Sequence, residues 1–544
     1  MNSKNPPTDV DAVVVGAGFA GLYMLHSLRR LSLTARAFEA GADVGGTWYW
    51  NCYPGARCDV ESLEYSFSWS DELQQEWQWS ERYSPQSEIL RYLQHVAERF
   101  DLRRDITFST RVTSADFDAT NARWTVRTDG GETVRARLVI TAAGCLSAGR
   151  VPEIPGLQDF AGRWYHTGNW PKEPVDFTDL RVAVVGTGSS GIQTIPAIAR
   201  DAKTLTVFQR SPNFSIPAWN RPMTRAELAA FKARYAEHRR AAKATKSGIL
   251  YQYPQHGSFE VEPTERQSEY ERRWMRGGPN FVHAYNDLFL DKAANDQAAD
   301  FVRAKIRSIV ADPRTAEMLS PSDHAIGTKR ICVDTDYYST YNQPHVQLVN
   351  LRQTPIERVE RDGILLADGT RHEVDAIVFA TGYDAVTGAI DNIAIRGRDG
   401  QRLKEKWHAG PRTYLGLMSA GFPNLFMITG PGSPSILTNV VMSIEQHVEW
   451  IARCIETMHQ RGAALVEAEI DAEDAWVDHL REIASKTLHF DAPSWYMGAN
   501  IPGKPRVFLP YVGGLGVYTA LCENVVAEGY RGFRFTPASA DAAA

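Results

Sequence analysis

Residues 10–30 of this chain read VDAVVVGAGFAGLYMLHSLRR, and this segment is the strongest indication of the fold. Val10 to Val15 form a short apolar run, interrupted by one aspartate, that predicts a buried strand. The glycine-rich turn GAGFAG follows at residues 16–21, and Leu22 to Leu31 then have the spacing of a helix. A second strand over Leu33 to Phe38 completes a β-α-β unit of the kind that binds a dinucleotide.

The same unit recurs farther along the chain. Arg181 to Val185 predicts a strand, residues 186–191 read GTGSSG, Ile192 to Arg200 predicts a helix, and Leu205 to Gln209 predicts another strand. In such turns the first glycine permits the bend, the second lets the backbone approach a pyrophosphate, and the third lets helix and strand pack closely. A single match is weak evidence, but two matches in this context predict an α/β fold with two Rossmann-like dinucleotide-binding domains.

The residues that end the second strands distinguish the two units. Glu39 follows Gly21 by 18 positions, and a carboxylate there accepts hydrogen bonds from both hydroxyls of an unphosphorylated ribose, which fits FAD. The second unit has no acid at this place but has Arg210 and Ser211. A guanidinium and a hydroxyl can bind a ribose 2′-phosphate, which favours NADPH over NADH. The alternative for Arg210 is an ordinary surface charge after a strand.

The remaining sequence divides the chain into five predicted segments. Residues 224–307 carry Ala, charged and aromatic residues at helical spacing, which predicts a helical insertion, and strand-like runs return at 345–349, 363–366 and 376–379. The predicted segments are a first part of the FAD-binding domain at 1–145, a first part of the NADP-binding domain at 146–222, the helical insertion at 223–328, a second NADP-binding part at 329–382 and a second FAD-binding part at 383–544.

Composition excludes several other classes of protein. The 544 residues have a net charge of −6, which gives no reason to expect a nucleic-acid partner. Six cysteines without a Cys-x-x-Cys pair argue against a disulfide framework or a zinc site, and we expect no metal. No apolar run approaches the length of a membrane span, so the default expectation is a cytoplasmic protein that binds no membrane, and no obligatory protein partner is evident.

Several motifs resemble those of one enzyme family. Phe160-Ala-Gly162-Arg-Trp-Tyr-His166-Thr-Gly-Asn-Trp170-Pro171 resembles the fingerprint of Baeyer–Villiger monooxygenases, flavoenzymes that insert oxygen beside a ketone carbonyl. Residues 46–59 resemble the second signature of the family, residues 329–335 its catalytic-arginine segment, and residues 494–505 its mobile loop over the nicotinamide. Residues 430–437 resemble the longer substrate loop of the phenylacetone and steroid monooxygenase subgroup.

The resemblance implies a reaction and the residues that support it. NADPH would reduce FAD, O2 would add to give a C4a-peroxyflavin, and this oxidant would convert a ketone to an ester or lactone. An anion that persists at neutral pH needs a permanent cation beside it, and Arg330 matches the catalytic arginine. Asp59 would pair with Arg330 and offset its burial. For an isolated Arg330 a surface charge would be the simpler interpretation, and the flanking match reverses that preference.

The other predicted site residues fall into four groups. The FAD group is Gly16, Gly18, Gly21, Glu39, Gly46, Thr47, Trp48, Asp59, Tyr65, Val112 and Val440. The NADP group is Arg57, Thr187, Gly188, Ser189, Ser190, Gly191, Gln193, Arg210, Ser211, Lys329, Arg330 and Trp495. The fingerprint group is Phe160, Gly162, His166 and Trp170. The substrate group is Ile436, Leu437 and Met497.

His166 invites the role of a general base, but its position favours another interpretation. It lies in the connection between the two dinucleotide units, among aromatic residues. We therefore expect it to shape the linker and to couple domain motion to NADP binding, rather than to transfer a proton.

Three competing functions remain open at the level of sequence. The first is a flavin monooxygenase that mainly oxidises sulfides or amines, whose fingerprint usually ends without Trp-Pro. The second is a flavin oxidase that releases hydrogen peroxide, and the third is a redox sensor that binds FAD without turnover. Arg330 and Asp59 speak against the sensor, which has no need of such a pair.

Overall fold

The structure, a computed structural model, describes residues 8–537. In this part of the chain the strands, in chain order, are β1 (Thr8–Val15), β2 (Ala35–Phe38), β3 (Ile106–Thr107), β4 (Val112–Asp118), β5 (Arg123–Thr128), β6 (Thr133–Thr141), β7 (Arg163–His166), β8 (Arg181–Val185), β9 (Thr204–Gln209), β10 (Ser215–Pro217), β11 (Cys332–Asp334), β12 (Val346–Asn350), β13 (Ile356–Glu360), β14 (Gly363–Leu366), β15 (Arg371–Glu373), β16 (Ala376–Phe379), β17 (Ala394–Arg396), β18 (Leu425–Met427), β19 (Ala463–Ala468) and β20 (Phe533–Pro537).

The α-helices of the same residues connect and cover these strands. They are α1 (Phe19–Arg30), α2 (Thr47–Trp50), α3 (Asp71–Glu76), α4 (Gln86–Arg99), α5 (Ser189–Ala199), α6 (Arg225–Lys232), α7 (Tyr235–Lys243), α8 (Pro263–Arg276), α9 (Lys292–Ile309), α10 (Pro313–Leu319), α11 (Tyr337–Thr340), α12 (Gly388–Asp391), α13 (Leu403–Lys406), α14 (Val440–Gln460), α15 (Ile470–Ser485) and α16 (Leu515–Ala527). None of the helices described is long and apolar enough to cross a membrane.

The first large sheet carries the first glycine-rich turn. Its order is β17-β4-β5-β6-β1-β2-β3, and β18 also pairs with β6. The strands β6, β1 and β2 run parallel, with Val15 opposite both Phe38 and Thr141, so their carboxyl ends meet at one edge. Helix α1 packs on this sheet beside α14, and their apolar faces share one core with β1 and β6.

The second large sheet carries the second glycine-rich turn. Its order is β12-β9-β8-β16-β7, and all four neighbouring pairs are parallel. Every residue of β16 and four of the five residues of β8 are buried, as expected for parallel strands covered on both faces. The α/β fold with two Rossmann-like sheets is therefore confirmed.

The strands show how the chain passes between the two sheets. Those of the first sheet come from residues 8–141 and 394–427, and those of the second from residues 163–209 and 346–379. Helices α6 to α10 fill the interval between β10 and β11, where the sequence predicts a helical insertion. The five domain boundaries given above stay predictions.

Candidate active site

The two glycine-rich turns open onto the same cavity, whose volume is about 1780 Å³. Gly16 and Gly186 begin the turns with φ values of +105° and +110°, a conformation that a residue with a Cβ rarely adopts. A Cβ on Gly21 would collide with the carbonyl oxygen of Gly16, and one on Gly191 with that of Gly186. The third glycine of each turn therefore serves helix–strand packing and does not line the cavity.

Glu39, at the end of β2, is tied to the first turn by its carboxylate. One oxygen accepts from the backbone N–H of Ala17 at 2.8 Å and the other from that of Gly41 at 2.7 Å. The pKa of Glu39 is raised above its ordinary value, because burial outweighs the lowering effect of the two backbone N–H groups. Two carboxylate oxygens have about four acceptor positions in all, so two stay available to ribose hydroxyls.

Cationic side chains gather at the end of the second sheet. Arg210 and Ser211 follow β9, and Arg352 follows the neighbouring parallel strand β12, where Gln209 lies opposite Asn350. Nη2 of Arg352 donates to Oγ of Ser211 at 2.8 Å. Lys329 lies in the same corner of the cavity, and its pKa is lowered by burial and by the charges of Arg352 and Arg210. This corner has the chemistry of a phosphate site.

Arg330 and Asp59 form a forked ion pair in the wall of the cavity. Nε and Nη2 of Arg330 donate to the two oxygens of Asp59 at 2.6 and 2.7 Å, and Nη1 donates to the carbonyl oxygen of Ile436 at 2.9 Å. The side chains are 29% and 19% exposed. Burial alone would lower the pKa of Arg330, but the charge and hydrogen bonds of Asp59 raise it well above its ordinary value. The guanidinium is therefore a fixed positive charge.

Contacts across the cavity join the two glycine-rich units. Nε2 of Gln193, in α5, donates to the carbonyl oxygen of Arg57 at 3.0 Å, and the hydroxyl of Tyr53 donates to Oε1 of Gln193 at 2.8 Å. The guanidinium of Arg57 is itself held by Glu81 at 2.8 Å. The segment that follows the first unit is thus bound directly to the helix of the second.

His166 lies where the chain leaves the first unit and where it returns. Its Nδ1 accepts from the backbone N–H of Gly168 at 3.0 Å, Gly149 packs against the imidazole, and the ring of Tyr383 lies 6.2 Å from it edge-on. Burial lowers the pKa of His166, so the ring is neutral at pH 7. A neutral ring between two chain crossings supports the prediction of a linker role.

Most of the predicted site residues line the cavity. They are Gly16, Gly18, Glu39, Gly46, Thr47, Trp48, Arg57, Asp59, Tyr65, Val112, His166, Thr187, Gly188, Ser189, Ser190, Gln193, Arg210, Ser211, Lys329, Arg330, Ile436, Val440 and Trp495. Gly21 and Gly191 pack inside their units, while Phe160, Gly162 and Trp170 lie outside the lining. The fingerprint thus contributes structure around the cavity, with His166 at its wall.

Two of the three predicted substrate residues lie behind the lining. Met497 is buried and Leu437 half-buried in an apolar cluster with Tyr496 and Phe508, whereas Ile436 reaches the cavity. Cys145 and Leu146 belong to the same cluster and do line the cavity. The resemblance locates the substrate loop but does not tell which of its side chains face inward.

The structure also bears on metals and disulfides. Among residues 8–537 no group of three His, Cys, Asp or Glu side chains has the arrangement of a metal site. Cys52 and Cys58 are free thiols, and burial raises the pKa of Cys58 well above its ordinary value. A deeply buried, protonated thiol is unsuited to the exchange chemistry of a dithiol reductase.

Comparison with known proteins identifies relatives along nearly the whole chain. The flavin-binding monooxygenase-like (FMO-like) family matches residues 10–219. A Baeyer–Villiger monooxygenase of Pseudooceanicola batsensis is 43% identical, with 97% of each chain covered, and the phenazine N-monooxygenase of Lysobacter antibioticus is 42% identical, again with 97% of each covered. A solved structure of oxidised steroid monooxygenase bound to NADP superposes with a TM-score of 0.94 at 52% identity, covering 98% of this chain and 100% of that one.

These similarities agree with the motifs and with the two-sheet architecture. Identity above 40% extends over 97% or more of this chain in both comparisons. The chain belongs to the Baeyer–Villiger monooxygenases, within the flavin-binding monooxygenases.

Proposed function

We propose that this chain binds FAD at the first glycine-rich turn and NADPH at the second, and uses O2 to insert one oxygen atom beside the carbonyl of a small-molecule ketone. The product is an ester or a lactone. The observation that carries the proposal is the forked Arg330–Asp59 pair in the wall of a cavity that both turns share. The cytoplasmic location expected from the sequence remains a prediction.

The residues present fit the two cofactors. Around the first turn, the Glu39 carboxylate is placed for a ribose without a phosphate, and a Cβ on Gly18 would lie 3.3 Å from Cα of Gly46, so a larger residue would crowd the turn. At the second turn a Cβ on Gly188 would meet no atom within 4 Å, so the backbone faces open space where a pyrophosphate can approach. Arg210, Ser211 and Lys329 would hold the 2′-phosphate.

The chain's own residues supply charge and exclude water. When bound, NADPH supplies a hydride and FAD accepts it and activates oxygen, which no side chain can do. Oxygen insertion beside a ketone places negative charge on the carbonyl oxygen, and Arg330 offers a charge that cannot be lost at neutral pH. Asp59 fixes the guanidinium plane, and the carbonyl of Ile436 holds its third donor. Trp495 and Ile436 add apolar surface to the same cavity.

Removal of Arg330 tests the proposal. We expect Arg330→Ala to lower the rate of ester formation by about 100-fold or more, as for the loss of one donor to a developing oxyanion. Ester is measured by mass spectrometry with a panel of ketones, and NADPH oxidation is followed in parallel. Arg135→Ala is the matched control, because Arg135 makes the same fork on Asp9 with distances of 2.7 and 2.8 Å at a surface site.

Ester formation by Arg330→Ala at the rate of the Arg135→Ala control would refute the role of Arg330. A wild-type protein that oxidises NADPH and releases only hydrogen peroxide with every ketone would refute the reaction itself.

Heteroatom oxygenation is the second candidate function, and the phenazine N-monooxygenase relative is the observation that favours it. Thioethers and N-heteroaromatic compounds therefore belong in the same panel. Turnover of these compounds with none of any ketone would replace the proposed reaction by this second one.

A further inference from the structure

Asp323 lies inside the cationic corner of the cavity, where a carboxylate would repel a phosphate. Its Oδ2 pairs with Nη2 of Arg352 and lies 3.9 Å from Nζ of Lys329. Its Oδ1 lies 2.6 Å from Nδ1 of His324. The side chain is only 18% exposed and belongs to the cavity lining. An acid held so firmly in a phosphate-binding corner needs a physical explanation.

The groups around Asp323 are mainly cationic. Lys329, Arg352 and Arg210 lie on the cavity side, and Arg303 faces the buried ring of His324 from α9. Burial raises the pKa of Asp323, but the hydrogen bond from His324, the charge of Lys329 and the hydrogen bond from Arg352 outweigh it and lower the pKa. The carboxylate is therefore ionised throughout the physiological range.

The pair with Asp323 determines where the guanidinium of Arg352 lies. The side chain of Arg352 is 47% exposed, and a long exposed side chain loses rotamer entropy when it is fixed in one position. One nitrogen, Nη2, contacts both Asp323 and Ser211. Within residues 8–537 neither Nε nor Nη1 of Arg352 has a hydrogen-bond partner, so both can bind a ligand.

We propose that Asp323 is a positioning residue that holds Arg352 against Ser211 before the ribose 2′-phosphate of NADPH binds. The inference rests on the proposed use of NADPH at the second turn. Three cavity cations and one carboxylate leave an excess of two positive charges, which matches a phosphate monoester of charge about −2. Asp323 thus lowers the repulsion among the cations in the free protein and removes part of the ordering cost of binding.

Removal of the Asp323 charge should change the affinity for the 2′-phosphate in the direction opposite to that expected from charge alone. Removal of a negative charge from a phosphate site would tighten phosphate binding if charge alone mattered. If Asp323 acts by holding Arg352, the same change weakens binding of the 2′-phosphate and leaves the rest of the nucleotide unaffected.

The test compares two nucleotides that differ only in the 2′-phosphate. Binding of 2′,5′-ADP and of 5′-AMP to the flavin-containing protein is measured by titration calorimetry for wild type and for Asp323→Asn. We expect Asp323→Asn to weaken 2′,5′-ADP binding about tenfold, with 5′-AMP unchanged. In steady-state kinetics the KM for NADPH should rise by a similar factor, while kcat and the KM for NADH stay constant. Asp362→Asn is the control, because Asp362 pairs with Arg371 on the hairpin β13–β15, outside the cavity.

A double-mutant cycle separates positioning from a general effect on the fold. Arg352→Gln alone should weaken 2′,5′-ADP binding, and Asp323→Asn should add almost nothing in its presence, because Asp323 acts through Arg352. Unchanged or tighter 2′,5′-ADP binding in Asp323→Asn would overturn the proposal, and so would an equal loss for both nucleotides. A wild-type protein that binds the two nucleotides equally would instead refute the assignment of NADPH.

Discussion

The turn after β1 and the turn after β8 have similar backbone conformations but differ in their surroundings. The first glycines of the two turns have φ values only 5° apart. In each turn the third glycine lies so close to the carbonyl oxygen of the first glycine that a Cβ would not fit. In the first unit the acid after β2 is 5% exposed and bonded to the turn, whereas Gly188 and Ser189 of the second turn are exposed. We expect the common part to provide the pyrophosphate site. We expect the different part to separate a cofactor that stays bound from one that is exchanged during turnover.

The largest effect should come from the buried acid of the first unit. Glu39→Ala leaves the N–H groups of Ala17 and Gly41 without their acceptor, at a cost of about 3 kcal/mol in the free energy of unfolding. The purified protein should also contain little flavin, measured as absorbance per mole of protein, with unfolding followed in denaturant. Glu132→Ala is the control, since Glu132 pairs with Arg36 at the edge of the same sheet. Full flavin content and unchanged stability in Glu39→Ala would contradict the idea that the buried acid distinguishes the first unit from the second.

A smaller and more selective effect is expected at the equivalent place in the second unit. Arg210→Ala should raise the KM for NADPH about 30-fold, or about 2 kcal/mol, because a charged hydrogen bond to phosphate is lost. Flavin content, thermal stability and the KM for NADH should stay as in wild type. Arg200→Ala, at the exposed end of α5, provides the control. An unchanged NADPH/NADH preference would favour the alternative that Arg210 is an ordinary surface charge after a strand.

The smallest effects should come from the middle glycines. Gly188→Ala places a methyl group in open space, so stability should be unchanged while the KM for NADPH rises about fivefold, or about 1 kcal/mol. Gly18→Ala places its Cβ 3.3 Å from Cα of Gly46, so here stability should fall by about 1 kcal/mol and flavin content with it. Thermal unfolding and the KM for NADPH, measured for both glycine variants, check these expectations. Equal behaviour of the two variants would contradict a permanent first site and an exchangeable second one.

Much of the scaffold follows from local sequence. The strand Arg181–Val185 lies where the apolar run predicts it, and the strands 363–366 and 376–379 also agree. The first helix begins at Phe19 rather than Leu22, because the third glycine of the turn is already inside the helix. The second strand begins at Ala35 rather than Leu33, and Thr34 just before it pairs with Asp11.

The parts of the site that the sequence does not reveal depend on distant neighbours. Arg352 reaches Ser211 because β9 and β12 are adjacent in the sheet, a register that no local pattern contains. A basic residue soon after a predicted strand is the available signal, but such residues are common at surfaces. No sequence pattern marks Asp323 either, because its role depends on Lys329 and Arg352, which contact it only in the folded protein. Leu437 and Met497 lie in segments that the sequence motifs identify. The motifs do not indicate that these two side chains point away from the cavity.

The two chain crossings at His166 have a mechanical consequence. The outgoing segment and the returning segment are bonded to each other, with Arg150 N–H donating to Gly382 at 3.2 Å and Asp384 N–H to Ala148 at 2.8 Å. Because the two tethers lie side by side, we expect relative motion of the two sheets to be a rotation near this point rather than a separation. We expect such a rotation to admit and release the nicotinamide nucleotide.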